Sequence, residues 1–433
     1  MAATGGDETH TVLFAPASNV LFHVGRSVVL AREMSRRGHR SVLAGTERYL
    51  RDPVVEATAE SEIALLPDFD PTTAMELLRS IHRVPDRRLV ESLIEAELGL
   101  LETLRPDLVV ADFRPTLAIS ARLCGIPIAS LLLSHWLPHY AENPEWIPRT
   151  YAAGALGRRL LGERIGRRVA APVFRAIIRH KSTPFRAAAR ARGLPAPPLL
   201  WDYLQGDLNL LTDVEALAVG ELPPHTRRVG PILWEPDSPL PEWWSRLERD
   251  RPVIFVNYGS TAHPELFRRT FEELGGSPWR VVVATCDQVE PDAFPIPENF
   301  FVERYLPIEQ MVRRADLVIH HGGAGTFQQT LRAGTPGLVV ATHWDQEFSG
   351  FLSEREDLGL FLTLREILAR RGRLLTATRR MIENLPRHRE RASSLKETLL
   401  ACDGPKQASE ALEAFLEARA RGERPPGADA PAR

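Results

Sequence analysis

Cysteine and lysine are both scarce in this chain. The three cysteines, Cys124, Cys286 and Cys402, are far apart and form neither a metal-binding nor a redox spacing, which predicts a reducing compartment. Lysine occurs only three times, so almost all basic residues are arginine. The formal net charge is −2, and this near-neutral balance provides no basic field for nucleic acid.

Long hydrophobic runs are also missing. No stretch approaches the roughly 20 apolar residues of a membrane helix. Residues 1–10 are mostly polar or small, unlike a secretory signal. We therefore expect a cytoplasmic protein with no stable membrane insertion, as a monomer or homodimer. A length of 433 residues predicts two or three domains.

The chain contains two halves of similar build. Apolar runs at 11–15, 41–45, 108–111 and 128–133 have the length of buried strands, and helical patterns at 24–37 and 116–123 lie between them. The second half begins again with predicted strands at 252–257, 280–285, 300–302 and 317–320. This alternation predicts an α/β fold with parallel sheets covered by helices on both faces.

The most informative segment is residues 320–346. Tandem histidines, His320 and His321, follow a short apolar run and precede a glycine-rich turn, after which a helical pattern starts. Strand, glycine turn and helix start together form an anion site, because backbone N–H groups and the helix dipole converge there. Asp345 and Gln346 follow the next apolar run and add polyol-binding groups. The combination suggests a nucleotide sugar.

This segment resembles the donor-binding signature of the family 1 glycosyltransferases, most closely the bacterial natural-product enzymes. The resemblance implies a GT-B fold, in which two Rossmann-like domains face each other across a cleft. It places an acceptor-binding domain at residues 1–220, a linker at 221–245 and a nucleotide-sugar domain at 246–405. A helix at 406–421 would return to the first domain, and residues 422–433 would form a disordered tail. Residues 149–179 would supply helices around the acceptor cleft.

The same resemblance assigns the catalytic pair. His23 stands where the family has its base histidine, with Phe22 in place of the usual glycine and Arg26 near the usual proline. Asp112 ends the run 108–111 and would fix the tautomer of that histidine. Taken alone, His23 also suits a polar loop–helix junction, and Asp112 also suits a helix cap.

On the donor side, the resemblance implies phosphate contacts from the glycine-rich turn and from the end of the first strand of the second domain. Tyr305 would stack on the nucleobase, although it also suits an ordinary core position. Asp345 and Gln346 would bind sugar hydroxyls. The phosphate set is Gly259, Ser260, His321, Gly322, Gly323, Ala324, Gly325 and Thr326.

No metal or other cofactor is expected beside the nucleotide-sugar co-substrate. Adjacent strand residues point to opposite faces, so His320 and His321 are poorly placed to share a metal. Pro138 argues against a helix that would bring His135 and His139 together. Trp136, Tyr140 and Trp146 could line a hydrophobic acceptor pocket or belong to the core.

We therefore expect an inverting, metal-independent transferase that moves a sugar from a UDP- or TDP-linked donor to a hydroxyl of a hydrophobic small molecule. Two alternatives stay open. One is a nucleotide-sugar epimerase of related fold, and the other is a catalytically silent auxiliary partner of a glycosyltransferase. The intact glycine turn and the His23–Asp112 pair argue against the auxiliary protein.

Overall fold

The fold consists of two parallel sheets, each covered by helices. The computed structural model describes residues 9–52, 55–56, 59–141, 146, 148–149, 165, 170–217, 222–223, 225–235, 238–248 and 250–423. Most of the predicted acceptor-side helical region at 149–179, and residues 424–433 of the predicted tail, lie outside these ranges. Residues 170–179 of that region are helical.

The first sheet has, within the described ranges, the strand order β3-β2-β1-β4-β5-β6-β7, and every pair is parallel. Its order reverses between β1 and β4. The strands are β1 (Thr11–Pro16), β2 (Arg40–Gly45), β3 (Glu62–Leu65), β4 (Leu108–Asp112), β5 (Ile128–Leu132), β6 (Leu208–Leu211) and β7 (Thr226–Arg228). Strand β7 falls inside the segment predicted as linker, so the first sheet extends into that segment.

The second sheet repeats the design with the order β10-β9-β8-β11-β12-β13, again parallel throughout the described strands. Its order reverses between β8 and β11. The strands are β8 (Val253–Asn257), β9 (Arg280–Ala284), β10 (Phe300–Glu303), β11 (Leu317–His320), β12 (Gly337–Ala341) and β13 (Gly359–Thr363). Open α/β sheets bind ligands at such reversals, outside the carboxyl ends of the strands.

The helices cover both faces of each sheet. In the first half they are α1 (Leu21–Arg36), α2 (Glu47–Leu50), α3 (Pro71–Arg79), α4 (Arg87–Leu104), α5 (Leu117–Cys124) and α6 (Thr183–Ala191). In the second half they are α7 (Pro264–Leu274), α8 (Ile308–Arg314), α9 (Ala324–Ala333), α10 (Trp344–Arg355), α11 (Leu364–Ala369), α12 (Arg373–Glu383), α13 (Leu385–Leu400) and α14 (Gly404–Ala420).

Helix α14 packs against α1 and not against the second sheet. Its apolar side chains Ala408, Leu412 and Phe415 join the core that β1 and α1 form in the first half. Arg37 at the end of α1 donates to Glu413 of α14 over 2.8 Å. The last described helix therefore ties the two halves together.

A second apolar cluster joins the halves near the cleft. It combines Trp136 and Trp201 of the first half with Trp344, Phe348 and Leu399 of the second. Buried apolar area is the main stabilising term in such contacts. The two sheets are thus held so that their strand-order reversals face the same cleft.

Candidate active site

His23 and Asp112 meet at the strand-order reversal of the first sheet. His23 lies in the first turn of α1, directly after β1, and Asp112 ends β4. Nδ1 of His23 lies 2.7 Å from Oδ1 of Asp112, and both side chains are buried. Because Nδ1 is engaged by a carboxylate, Nε2 is the ring nitrogen left to take a proton from a substrate.

The turn after Asp112 holds the imidazole from one side. Phe113 has a left-handed backbone with φ of 52°, which is costly for a bulky residue and is found mostly where function demands it. Its ring stacks on His23 with centroids 5.6 Å apart and an angle of 17° between the planes. The indole of Trp136 lies 5.8 Å from the same imidazole. The imidazole of His23 is therefore fixed by packing as well as by its hydrogen bond.

Asp112 has a second partner that the sequence did not suggest. Arg26, one turn after His23 in α1, donates from Nε and Nη2 to the two carboxylate oxygens. Burial would raise the pKa of Asp112, but its ion pair with Arg26 and its hydrogen bonds with Arg26 and His23 outweigh burial and lower that pKa below its usual range. Asp112 is therefore a carboxylate at neutral pH.

The glycine-rich turn occupies the corresponding position of the second sheet. It follows β11 and leads into α9, whose N-cap is Gly323. The first N–H groups of a helix have no partner within it, so those of Ala324, Gly325 and Thr326 begin an anion site. Gly322 has φ of 88°, a region that disfavours side chains.

Two of the predicted phosphate glycines make room for His321. A Cβ on Gly259, which follows β8, would lie 2.6 Å from Cε1 of His321, and a Cβ on Gly323 would meet Nε2 of that ring. A Cβ on Gly325 would lie 2.9 Å from the ring of Phe22, in the opposite half of the molecule. The absence of a side chain at Gly323 and Gly325 therefore leaves room for the rings of His321 and Phe22, in addition to any room it leaves for a phosphate.

His321 is neutral in this setting. Burial, and then the nearby charge of His343, lower the pKa of His321 to about 3. Burial and His321 likewise lower the pKa of His320 to about 3. Nδ1 of His320 accepts from the N–H of Gly322 over 3.2 Å, so this side chain braces the turn. The two tandem histidines thus have different surroundings, because His320 ends β11 and His321 lies in the turn that follows.

Asp345 is held from across the cleft. Its Oδ1 accepts from Nε2 of His135 over 2.8 Å and from Nε1 of Trp136 over 2.7 Å. Burial would raise the pKa of Asp345, but His135 and Trp136 lower it to about 2. The carboxylate predicted to bind sugar is therefore charged and oriented by the first half of the molecule.

Gln346 lies beneath the site. Its Oε1 accepts from the N–H and the hydroxyl of Thr342 over 2.8 and 2.9 Å, and Nε2 donates to Thr261 over 3.3 Å. The side chain is 2% exposed. In this conformation Gln346 connects the ends of β8 and β12, and its amide is used within the protein.

The predicted nucleobase residue lies at the mouth of the cleft. Tyr305 is 57% exposed, and its hydroxyl donates to Asp287, on the turn after β9. Ser260, in the turn that follows β8, lies near Tyr49 of the first half. An exposed ring at this edge is accessible to a nucleobase.

A pocket that is partly open to solvent lies between the two halves. It extends from the glycine turn, at Gly322 and Ala324, to Asp345 and the buried His135. Its remaining walls are largely apolar and include Leu133, Val214, Leu217, Phe327, Phe348 and Leu352. A ligand there would touch both the anion site and the carboxylate of Asp345.

The aromatics predicted as acceptor candidates have different positions. Trp136 lies between His23 and Asp345, at the heart of the site. Tyr140 and Trp146 are 1% and 4% exposed and pack against Phe348 with centroids 5.5 and 5.4 Å away. Neither lines the cavity, so the structure places these two in the core between the halves.

Two general features of the described residues bear on cofactors and location. No group of three or more His, Cys, Asp or Glu side chains is arranged to hold a metal ion in those parts of the chain. Over the same ranges, no helix is both long and apolar enough to cross a membrane.

Comparison with known proteins agrees with this geometry. Residues 268–415 match the family model described as the erythromycin biosynthesis protein CIII-like C-terminal domain. The chain is 30% identical over 359 residues to the PGL/p-HBAD biosynthesis glycosyltransferase of Mycobacterium tuberculosis (strain ATCC 25177 / H37Ra), covering 81% of this chain and 80% of the relative. It is 31% identical over 311 residues to the PGL/p-HBAD biosynthesis rhamnosyltransferase of Mycobacterium bovis (strain BCG / Pasteur 1173P2), covering 67% of each.

The fold is shared with solved enzymes. The glycosyltransferase VinC in complex with dTDP superposes with a TM-score of 0.65 at 17% identity, covering 94% of this chain and 100% of VinC. Two Rossmann-like parallel sheets that face each other define the GT-B fold. The chain belongs to the family 1 glycosyltransferases. The predicted fold class and family are confirmed.

Proposed function

We propose that this glycosyltransferase inverts the anomeric centre of a UDP- or TDP-linked sugar and transfers it to a hydroxyl of a hydrophobic small molecule. One observation carries the proposal. Phe22, the residue before His23, lies against Gly325 of the anion turn, so the base pair and the phosphate site meet across one cleft. A base and a leaving-group site this close together suit direct displacement.

The proposed reaction is a single displacement at C1 of the donor sugar. The acceptor oxygen attacks C1 of the donor sugar while its proton passes to Nε2 of His23. The bond between C1 and the β-phosphate oxygen breaks, and the nucleoside diphosphate leaves with the electron pair. Asp112 holds Nδ1–H in place and stabilises the imidazolium that forms. A single displacement on one face inverts the configuration at C1.

The negative charge that develops on the leaving diphosphate is met by the start of α9 and by the turn before it. His321 contributes as a neutral hydrogen-bonding ring, because its pKa lies far below neutrality. The described residues offer no carboxylate cluster for a divalent ion, and we propose that the transfer needs none.

The donor sugar would occupy the cavity beside Asp345. Its apolar walls suit a sugar that presents a methyl group in place of a hydroxymethyl group, and the carboxylate of Asp345 suits the remaining hydroxyls. The Mycobacterium bovis relative is a rhamnosyltransferase by name, which supports a deoxyhexose donor. The acceptor would approach His23 from the aromatic side, along Phe113 and Trp136.

The test combines binding and transfer. Calorimetry with UDP, TDP and their glucose and rhamnose derivatives should show a diphosphate-dependent site. A panel of phenolic and macrolide alcohols should then give a glycoside of opposite anomeric configuration, identified by NMR. A product that retains the donor configuration would overturn the base role of His23. Binding without transfer or hydrolysis would favour the auxiliary protein, and interconversion of free nucleotide sugars would favour the epimerase.

A further inference from the structure

Arg26 is a buried cation whose contacts point to a task of its own. Its side chain is 1% exposed, and it forms a two-pronged pair with Asp112. Nη1 donates to the hydroxyl of Thr212, beyond β6, over 2.8 Å. Such planar, bidentate geometry fixes both partners and is specific to arginine.

Arg26 shares a carboxylate oxygen with the base. Oδ1 of Asp112 accepts hydrogen bonds from Nδ1 of His23 and from Nη2 of Arg26, and those two nitrogens lie 3.5 Å apart. An unpaired carboxylate would both orient the imidazole and attract a proton to it. When the guanidinium of Arg26 binds the same oxygen, the carboxylate still orients the imidazole of His23, but it attracts a proton to that ring less strongly.

The position of Arg26 also depends on the donor half. Its guanidinium carbon lies 4.6 Å from the ring centre of Phe22, which touches Gly325. The carbonyl of Thr212 accepts from Nε2 of Gln328, on α9, over 2.8 Å. The contacts that seat Arg26 therefore reach the helix that begins at the anion turn.

We propose that Arg26 is a positioning residue that keeps the His23–Asp112 pair free of an extra proton, and so ready to accept one from the acceptor, near neutral pH. This rests on the proposed role of His23 as base. Arg26 itself does not touch the reacting atoms in this account; it acts through Asp112.

Other charged groups near the pair are few among the described residues. Asp213, on the turn after β6, is close enough to interact with Arg26, and it accepts from Ser134. His135 follows β5 and is paired with Asp345 of α10. These groups stay unchanged in the variants below, so they are common to every measurement.

The test measures the protonation of His23 in the full chain without substrate. Histidine labelled at the ring carbon is followed by NMR against pH, and His23→Gln identifies the signal. In Arg26→Met, the His23 signal should titrate at least about one pH unit higher than in the wild type, a tenfold change in proton affinity. The acidic limb of kcat/KM should move by the same amount. Arg26→Lys keeps the positive charge, so the pH at which His23 titrates should not change. Its kcat should fall about tenfold, because lysine cannot form the two-pronged hydrogen bond with Asp112.

A charge cycle covers the case in which Arg26→Met does not fold. Asp112→Asn leaves Arg26 alone and should move the His23 titration to lower pH. The double variant Arg26→Met with Asp112→Asn removes both charges and should bring it back towards the wild-type value. The proposal is overturned if the pH at which His23 titrates is unchanged in Asp112→Asn. It is also overturned if that pH shifts equally in Asp112→Asn and in the double variant.

The matched control is Arg114→Met. Arg114, on the turn after Asp112, is 3% exposed and pairs with the buried Glu97 over 2.7 Å. It should lower stability without moving the His23 titration, as a merely structural arginine would. If Arg26→Met behaves like Arg114→Met, Arg26 is structural. Because the titration needs no substrate, this outcome is distinct from failure of the transfer reaction.

Discussion

The two sides of the cleft are built in different ways. Most of the proposed donor side comes from one short segment, from His320 to Gln346, and its central feature is a backbone turn that opens a helix. The base side combines side chains from α1, the end of β4 and the turns after β5 and β6. A backbone anion site needs glycine at fixed places, whereas a side-chain site needs only that distant residues meet. Substitutions should therefore damage the two sides differently.

The largest expected effect separates chemistry from binding. His23→Ala should lower turnover by roughly 10²–10⁴-fold, because the general base is lost. The affinity for TDP or UDP should stay within about twofold, since the donor contacts lie on the other side. Turnover and calorimetric titration of the same preparation check both statements. Turnover close to the wild-type value would remove His23 from the mechanism.

Lowering the pH should destabilise the folded protein through three buried histidines of the second half. Burial, ahead of nearby charges, lowers the pKa of His320 and His321 to about 3 and that of His343 to about 4. Below about pH 6.5 these residues take up protons when unfolded but not when folded, so stability falls as the pH falls. Each contributes about 1.4 kcal/mol per pH unit between roughly pH 6 and 4. Chemical unfolding at pH 7.5, 6 and 5 measures the slope.

A control variant sharpens this test. His343→Gln removes one of these groups and should reduce the slope of stability against pH by about 1.4 kcal/mol per pH unit. An unchanged slope would assign the acid sensitivity to other groups.

Gly323→Ala tests the backbone side of the comparison. The added Cβ meets Nε2 of His321, so that ring must move and disturb the turn. We expect TDP affinity to fall by about 10–100-fold, the scale of a lost hydrogen bond to a charged group. Gly99→Ala in α4 is the matched control, because its Cβ would meet nothing within 4 Å. Equal affinities in the two variants would place the diphosphate elsewhere.

His135→Gln tests the contact that joins the two sides. It removes the imidazole that orients Asp345, so recognition of the sugar should weaken by up to about tenfold while TDP alone binds as before. Titrations with TDP-rhamnose and with TDP measure the difference. A parallel loss for both ligands would show that His135 supports the whole cleft and not the sugar site.

The smallest effect is expected from chelation. If helix α9 and its turn carry the diphosphate charge, excess EDTA should leave turnover unchanged. Activity lost on chelation and restored by Mg²⁺ or Mn²⁺ would contradict the proposed leaving-group stabilisation.

The comparison also explains what could be predicted from the sequence. Strands 11–15, 128–133 and 317–320 are apolar runs, and the structure has strands at those places. Strands β3, β6, β7 and β13 were not predicted. Strand β7 is polar throughout, β3 is half-exposed, and β6 and β13 are short. The fold class was predictable since most buried parallel strands leave this pattern.

The site was predictable only where chemistry and spacing coincide in one segment. The glycine turn could be read directly, and His23 with Asp112 followed from the family pattern. The pairing of Arg26 with Asp112, and of His135 with Asp345, depends on side chains that are far apart in the chain or sit in a departure from the family pattern. Tyr140 and Trp146 were equally ambiguous, because pocket walls and domain cores use the same aromatic residues.

Helix α14 has a consequence for how the molecule is assembled. Helix α1, which carries His23 and Arg26, packs its apolar side chains against residues 404–420. The ribosome makes those residues long after α1. Until those residues arrive, the first half lacks part of its core and the second sheet is already complete. The first half can therefore complete its core only after the last helix has been made. A chaperone that guards the nascent chain would find its exposed apolar surface on α1.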